Sequence, residues 1–574
     1  MRKLVFAILV LLSTTLLAQN AGLPSQAELE KMAARFAPTE LKVDTSSLSA
    51  GDRKALVKLI QAARIMDDLQ LEQLWSGNHA LLAKLKKDRT PLGRTRLRYF
   101  WINKGPWSEL DEHRAFIPGV PQHRPEGANF YPIDAGKEEL EKWMNFLPEP
   151  EKTQAQGFFT VVRRDFAGKF VQVPYSKEYG ARLQQAALLL RQAAAATDNA
   201  SLKKFLTSRA DAFLSNDYFD SDVAWMDLDS PLDVTIGPYE TYNDELFGYK
   251  ACFEAYVNLR DEQETKKLAF FAKHLQSIEN NLPIPAEHRN PKIGTLAPIV
   301  VVNQVLSSGD GNQGVATAAY NLPNDERVVA QKGSKRILLK NIQQAKFQKT
   351  LVPISRVVLS AEDQKHLDFD AFFTHILAHE LTHGLGPQQI KVGGRDTSVR
   401  QELKDLHGTI EEAKADVTSL FALQYLMDQG LLRDGLGQGE AAERRLYTTF
   451  LASAFRTFRF GVKDAHARGM AIQFNYLRDH GAFLPNPDGT FAVDMSKIKP
   501  AVRDLDHDLL MLEATGDYAG AKKMLERLSV VRPEVQAALD KLKDVPVDIA
   551  LVPVTADEVA PHGGAARARK QPGM

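Results

Sequence analysis

The segment HILAHELTHGLGP, from His375 to Pro387, most constrains how this chain can fold. Its apolar residues recur at helical spacing, and the glycines and proline at its end are typical helix stop signals. His379 and His383 are four residues apart, so in an α-helix they lie on one face and can bind one ion. Glu380 lies one position round, where it can accept a proton from water without binding the metal. The segment therefore predicts a metal helix that carries its own general base.

Two histidines leave a catalytic zinc site one protein ligand short. The third histidine of metzincins would stand at position 389, which is Gln389. The segment GTIEEAKADVTSLFALQYL instead predicts a second helix with one apolar face, and it carries Glu412 near its start. We expect Glu412 to complete a His2Glu site, with Glu411 and Asp416 orienting the imidazoles through their other ring nitrogens. A solvated acidic helix start, favoured by the helix dipole, is the alternative interpretation of these carboxylates.

His375 extends the histidine stripe by one more turn. It lies two turns from His383, about 12 Å along a helix axis. One ion cannot take both outer histidines over that distance. We therefore expect His375 to pack or to support the site, without binding the metal.

The bulk composition is that of an ordinary globular protein, with 574 residues, 44% of them hydrophobic and 25% charged. This length is too great for one compact core, so two or more lobes are expected. Lysine plus arginine equals aspartate plus glutamate, at 72 each. The chain therefore has no general attraction for nucleic acid, and that class of partner is not expected.

The first residues, MRKLVFAILVLLSTTLLAQNAG, have the pattern of a secretory signal peptide. Arg2 and Lys3 precede an apolar run, and Ala18 and Ala21 are candidate small residues at a cleavage site. The run is shorter than the roughly 20 apolar residues that a spanning helix needs, which disfavours a membrane anchor. We expect an exported protein, periplasmic or secreted, with no stable membrane insertion after the signal is removed.

Cys252 is the only cysteine, which excludes an intramolecular disulfide and any cysteine-based metal cage. Its surroundings, YKACFEAYV, favour a small buried apolar residue in a helix.

The secondary-structure pattern is mostly helical. Helical spacing recurs over 50–90, 177–215, 250–280 and 370–545. GFFTVVRRDFAGKFVQVPYS predicts a hairpin, and APIVVVNQVL and KRILLKNI predict strands. The tail PHGGAARARKQPGM has no apolar periodicity and is expected to be disordered. The fold class predicted is mainly α with a smaller β element.

Taken together, these segments resemble the dipeptidyl peptidase III family of zinc peptidases. HELTH and EEAKAD are similar to the family's histidine helix and its Glu-Glu-x-x-Ala-Glu/Asp helix. IGPYETYNDELFGYKACFEAYV, NLPNDERVVAQKGSKRILLKN and AHARGMAIQFNYL resemble three further family segments, in the same order. The resemblance spans roughly 230–480. Some plant members carry a Nudix domain, and this chain has no Nudix signature.

The resemblance implies a role for each matching residue. One zinc ion per chain would be held by His379, His383 and Glu412, with Glu380 as the general base. Tyr242 and His466 would stabilise the oxyanion of the tetrahedral intermediate. The amino end and the backbone of the substrate would be held by Glu240 together with Asn321 and Asn324. The reaction implied is release of dipeptides from the amino end of oligopeptides.

The resemblance also implies a fold of two lobes separated by a wide cleft, with a small β-barrel or sheet in the lower lobe and a helical zinc lobe. The expected segments are a signal peptide at 1–21, the lower lobe at 22–260 and 305–355, the zinc lobe at 261–304 and 356–525, a C-terminal return at 526–559 and a disordered tail at 560–574.

The chain departs from the family in its histidine spacing. Most members have one more residue between the two histidines, and that spacing needs a local bulge in the helix. Here a regular helix suffices, so the metal site is easier to build, while strict dipeptidyl specificity is less firmly implied.

Three other functions stay open. The first is another His2Glu zinc peptidase, either an aminopeptidase or an endo-acting enzyme. The second is a peptide-binding protein of the same fold that does not turn over its ligand, although such a protein has no use for Glu380. A structural zinc site is disfavoured because a closed site needs a fourth protein ligand.

Overall fold

The computed structural model describes residues 22–294, 298–432 and 436–561. The predicted signal peptide, 1–21, lies outside the described residues, as does nearly all of the predicted tail. The chain divides into two compact units. The unit that we call the sheet unit consists of the described parts of Met1–Asp261, Pro298–Ile342 and Ile549–Met574, and the helical unit consists of those of Glu262–Ala297 and Gln343–Asp548. The family resemblance instead implies changes between the lobes at 260, 304, 355 and 525, and the cleft between the lobes stays a prediction.

The sheet unit is built around a mixed five-stranded sheet. Its strands, in spatial order, are Leu232–Glu240, Cys252–Arg260, Ile299–Gly309, Lys335–Leu339 and Ala319–Leu322. Only the third and fourth strands pair in parallel, with Val300 opposite Ile337. The two edge strands approach each other, since the hydroxyl oxygens of Thr235 and Tyr320 are 2.9 Å apart. The sheet is therefore strongly curled.

The interior strand Cys252–Arg260 corrects one prediction. The sequence pattern indicates a helix over 250–280, but the helix begins only at Glu262. Cys252 is fully buried as expected, and it lies on a strand whose residues are buried on both faces. A strand buried on both faces reads as a continuous apolar run, which cannot be told from a buried helix by periodicity alone.

Helices and short strands complete the sheet unit. The long helix Ala50–Leu74 packs against the sheet and against Gly180–Ala196. The predicted hairpin is confirmed, because Thr160–Arg164 pairs antiparallel with Phe170–Pro174. The other helices are Gln26–Ala34, Asn78–Leu85, Pro91–Asn103, Lys137–Phe146, Glu149–Gln156, Tyr175–Glu178, Ala200–Ser215, Phe219–Met226, Glu326–Lys332 and Val554–Val559. The other strands are Phe36–Glu40, which pairs with Asp548–Val552, and Trp107–Ser108, which pairs with Arg114–Ala115.

The helical unit is organised around His407–Asp428, which we call the glutamate helix. It packs against Phe369–Thr382, which we call the histidine helix, and against Ala465–Asp479 and Ile498–Thr515. The other helices are Glu262–Glu279, Val352–Val358, Val399–Leu403, Glu440–Phe458, Tyr518–Leu528 and Pro533–Asp540, and Lys340–Lys346 leads in from the sheet unit. The strands Gln389–Val392 and Arg395–Ser398 form one hairpin, and Phe483–Pro485 and Phe491–Val493 form another. The prediction of a mainly helical chain with a smaller β element is confirmed.

Within the described ranges, no helix combines the length and the apolarity that a membrane crossing needs.

Candidate functional site

The histidine helix is regular up to its last histidine. It begins at Asp368, whose carboxylate accepts the N–H of Ala371 at 2.8 Å and so caps the first turn. At the other end, the N–H of His383 donates to the carbonyl of His379 at 3.3 Å. The two imidazoles therefore project from the same face one turn apart, with ring centroids separated by 4.8 Å. The four-residue spacing needs no bulge.

The glutamate helix brings a carboxylate to these two rings. Oε2 of Glu412 lies 3.3 Å from Nε2 of His379 and 3.9 Å from Nε2 of His383. One ligand atom from each of the three residues falls within 4.8 Å of the others. The structure thus brings together the three residues that the sequence predicts as metal ligands.

The other nitrogen of each imidazole is held by a carboxylate of the glutamate helix. Nδ1 of His379 lies 2.8 Å from Oδ1 of Asp416, and Nδ1 of His383 lies 2.7 Å from Oε1 of Glu411. A carboxylate can only accept, so each Nδ1 carries a proton, and Nε2 is the ring nitrogen left to bind a metal. This is the arrangement that orients histidine ligands in metal sites.

The donor set fits a zinc ion. The two Nε2 atoms face Oε2 of Glu412, which is buried. Nitrogen and oxygen ligand atoms this close together need a shared cation, which is a proton on His379 in the metal-free protein and can be a metal ion in its place. Two imidazole nitrogens and one carboxylate oxygen are the protein ligands of His2Glu catalytic zinc sites, which keep one position open.

The electrostatics of the cluster also favour a cation. Burial alone would lower the pKa of His379, but the adjacent Asp416 carboxylate outweighs it and raises the pKa to about 10. Burial would raise the pKa of Glu411, yet Lys414 and His383 hold it well below its usual range. The pKa of Asp416 is lowered likewise by His379, against the effect of burial. The carboxylates here are ionised and stabilise positive charge.

Two more predicted site residues, Glu380 and His466, also lie in the helical unit. Glu380 is half-buried and follows the candidate ligand His379 on the histidine helix. His466 lies at the start of Ala465–Asp479, and its Nε2 is 3.1 Å from Oε2 of Glu412. Its side chain is 69% exposed, so the ring borders the cluster while remaining open to a ligand.

His375 stays outside the cluster. Its ring packs against Phe450, and its Nε2 lies 3.2 Å from the backbone carbonyl of Asp416. Burial lowers the pKa of His375, so the ring is neutral and donates to that carbonyl. This is the packing role that its spacing predicts.

The remaining predicted residues lie in the sheet unit. Glu240 and Tyr242 are at the end of the first sheet strand, and Tyr242 is 88% exposed. Asn321 is on the edge strand Ala319–Leu322, and the amide of Asn324 donates to the carbonyl of Tyr239. These residues form a group by themselves, separate in the chain from the histidine cluster.

Glu240 lines a polar pocket of about 270 Å³ within the sheet unit. Its carboxylate accepts the backbone N–H of Tyr242 and, at 2.9 Å, the side-chain amide of Asn243. The same amide contacts Asp310 at 2.5 Å, and Arg124 donates to the Asn243 carbonyl oxygen. Burial raises the pKa of Glu240 and of Asp310, and the proximity of the two carboxylates adds to the shift for Asp310. A cation entering this pocket would be stabilised.

A second group of ligand-type atoms comprises Glu240, Cys252 and Asp310. Burial raises the pKa of the Cys252 thiol well above its usual range, with the Asp310 and Glu240 carboxylates adding to the shift. Metal binding needs the thiolate, so this group is a poor metal site.

Sequence reasoning missed several residues that support these groups. Lys414 is fully buried beside Glu411, and Gln473 donates to Asp416 at 3.0 Å. Lys414 lies one turn from Ile410 and from Val417 on the apolar face, and a charge on such a face is a signal that could have been used. Nothing in the local sequence distinguishes Asn243 or Asp310 from ordinary loop residues.

Comparison with known proteins extends the resemblance. Residues 151–396 match the description "Peptidase family M49". The chain is 41% identical to "Nudix hydrolase 3" of Arabidopsis thaliana over 572 aligned residues, which cover 91% of this chain and 73% of that protein. The Nudix name is that of the plant protein.

Two solved structures also match. "Structure of dipeptidyl-peptidase III from Corallococcus sp. strain EGB" is 55% identical, covers 95% of this chain and 100% of its own, and has a TM-score of 0.75. "Structure of DPP III from Caldithrix abyssi" is 45% identical, covers 92% of this chain and 100% of its own, and has a TM-score of 0.86. The chain therefore belongs to peptidase family M49, the dipeptidyl-peptidase III family.

Proposed function

We propose that this chain is a zinc-dependent exopeptidase that hydrolyses oligopeptides and releases dipeptides from their amino end. One observation carries the proposal: two imidazoles and the Glu412 carboxylate converge on one point, with Glu380 beside them on the same helix. Membership of a peptidase family, and solved relatives titled as dipeptidyl-peptidase III, support it. One zinc ion per chain is held by His379, His383 and Glu412.

The reaction divides between the metal and the protein. A zinc ion held by His379, His383 and Glu412 would supply Lewis acidity toward the peptide carbonyl and would lower the pKa of the attacking water. Glu380 would accept a proton from the water whose oxygen bonds to the peptide carbonyl carbon, and it would pass that proton to the amine that leaves as the C–N bond breaks. Glu411 and Asp416 hold the His383 and His379 rings in the orientation that the site needs.

Charge on the carbonyl oxygen is stabilised by His466 and Tyr242 in this proposal. His466 is exposed at the edge of the cluster, with an Nε2 that already lies within 3.1 Å of a candidate ligand oxygen. Tyr242 presents an exposed hydroxyl, which can donate to an oxyanion.

The amino end of the substrate is held in the pocket of the sheet unit. An exopeptidase must place acceptors opposite a free ammonium, and the Glu240 carboxylate is fixed for this by Asn243 and by the Tyr242 backbone. Asn321 and Asn324 bind the substrate backbone. Binding of the free ammonium by Glu240 would restrict cleavage to the amino end of the peptide.

Peptides with free and with acetylated amino ends test this specificity. We expect an acetyl group to abolish cleavage after the second residue, because it removes the charge that Glu240 binds. The variant Glu240→Gln should raise KM for the free peptide more than it lowers kcat. Equal cleavage of both peptides would favour an endo-acting His2Glu enzyme that does not recognise a free amino end. Release of single residues would indicate an aminopeptidase.

The protein is further proposed to be exported, on the strength of the apolar run behind Arg2 and Lys3. Mass spectrometry of the protein from its native cell should find a mature amino end after Ala18 or Ala21. An intact Met1 on the mature protein would contradict export by cleavage.

A further inference from the structure

The histidine helix ends at a candidate ligand. Its last residue is Thr382, and His383 is the C-cap. The last carbonyls of a helix lack partners within the helix, and helix ends open more readily than helix centres. The ring of His383 is therefore placed accurately only if something holds this end, whereas His379 is a full turn inside the helix.

Lys414 holds that end from the glutamate helix. Its side chain is fully buried, and Nζ lies 3.1 Å from the carbonyl of Leu385 and 3.5 Å from the carbonyls of Thr382 and His383. Nζ also lies 3.0 Å from Oε1 of Glu411. One ammonium thus contacts the backbone that carries the His383 ring.

Lys414 also fixes Glu411, which is the hydrogen-bond partner of the His383 ring. Oε1 of Glu411 accepts both from Lys414 and, at 2.7 Å, from Nδ1 of His383. An ammonium has three donors: one suits the Glu411 carboxylate, one the Leu385 carbonyl, and the third the two more distant carbonyls of Thr382 and His383. An apolar side chain could satisfy none of these acceptors. A buried lysine is costly unless it is paired and hydrogen-bonded, so these contacts account for its presence in the core.

We propose that Lys414 is a positioning residue of the zinc site: it fixes the His383 imidazole by binding both Glu411 and the end of the histidine helix. The inference rests on the proposed zinc site. It predicts that loss of the ammonium weakens zinc binding beyond any general loss of stability.

The test compares Lys414→Met with a matched control, Lys346→Met. Lys346 is a buried lysine of the same unit and pairs with Asp548 at 2.9 Å, and that pair includes no candidate ligand or ligand-orienting residue. Zinc dissociation constants of the apoproteins are measured by competition with a chelator, and their thermal unfolding is recorded without metal. We expect Lys414→Met to bind zinc about 10–100-fold more weakly. Lys346→Met should lower the unfolding temperature and leave zinc affinity at the wild-type value.

Two further variants separate positioning from folding. Lys414→Arg should restore most of the zinc affinity, because a guanidinium also donates to carboxylate and carbonyl oxygens. The double variant Lys414→Met with Glu513→Met replaces a buried lysine and a nearby buried carboxyl by apolar side chains, a change that cores often tolerate, and it should bind zinc as weakly as the single variant. Wild-type zinc affinity in Lys414→Met and in the double variant would overturn the role of Lys414, although the proposed zinc site itself would remain supported. A wild-type protein that binds no zinc would instead refute the proposed function.

Discussion

The carboxylate of Asp416 lies 2.8 Å from Nδ1 of His379, across two packed helices. The contact keeps a proton on Nδ1 of His379 and directs its Nε2 at Glu412. Gln473 binds the second oxygen of Asp416 at 3.0 Å, so the carboxylate itself is held in place. The candidate metal site is therefore organised by side chains that do not touch the metal position.

Asp416→Asn should weaken zinc binding about 10–100-fold, since an amide keeps the shape but loses the charge that stabilises the oriented ring. The measurement is chelator competition on the apoprotein. Asp548→Asn is the matched control, because Asp548 is a buried carboxylate of the same unit that pairs with Lys346. Equal zinc affinity in Asp416→Asn and wild type would contradict an orienting role.

Glu380→Gln should reduce kcat/KM about 10²–10⁴-fold, because glutamine cannot accept the proton of the attacking water. Zinc content should stay at the wild-type level, since Glu380 is not a proposed ligand. Glu362→Gln, on an exposed carboxylate of the same unit, is expected to change neither quantity. Hydrolysis at the wild-type rate in Glu380→Gln would show that the activity comes from a contaminant or from different chemistry.

His466→Ala and Tyr242→Phe should each lower kcat by about 10²-fold with a smaller change in KM, as expected for donors that act mainly in the transition state. Steady-state kinetics with one oligopeptide measures both. His480→Ala, at the other end of the same helix as His466, serves as the control. A raised KM with unchanged kcat would place these residues in ground-state binding only.

Glu254 gives the chain a predictable pH dependence. Burial, with help from the Glu240 carboxylate, raises the pKa of Glu254 to about 8 from an ordinary value of 4.5. Between these values the folded chain keeps a proton that the unfolded chain has lost, so this contribution to stability is complete at low pH and falls as pH rises towards 8. Glu254→Gln removes the effect. Its free energy of unfolding should therefore rise relative to that of wild type by up to about 1.4 kcal/mol per pH unit across this window.

Parallel unfolding series of wild type and Glu254→Gln from about pH 5 to about pH 8 check this prediction, since contributions from groups distant from Glu254 cancel in the difference. A difference in stability that does not change with pH would show that Glu254 titrates normally.

Much of the metal centre was accessible from the sequence. The spacing of His379 and His383 fixes their common helical face, and a carboxylate on a second amphipathic helix was predicted at Glu412. The proximity of Glu412 to both imidazoles depends on helix packing, which the pattern allows but does not determine. The grouping of Asn243, Asp310 and Glu240 comes from loops and strand ends, for which periodicity carries no information.

The misassigned helix over 250–260 has a specific cause. Ala, Glu and Leu favour helices intrinsically, and Cys252–Arg260 contains all three. Pairing on both sides with neighbouring strands overrides that preference, because both faces of this strand are buried in the unit. Only long-range pairing, which a single sequence does not display, decides between the two structures.

An anomalous difference map at the zinc absorption edge, from crystals of the zinc-loaded protein, tests the central claim most directly. We predict a single strong peak at about 2.0–2.2 Å from Nε2 of His379, Nε2 of His383 and a carboxylate oxygen of Glu412. A zinc peak elsewhere, or Glu412 turned away from the two imidazoles in the zinc-loaded crystal, would contradict the account.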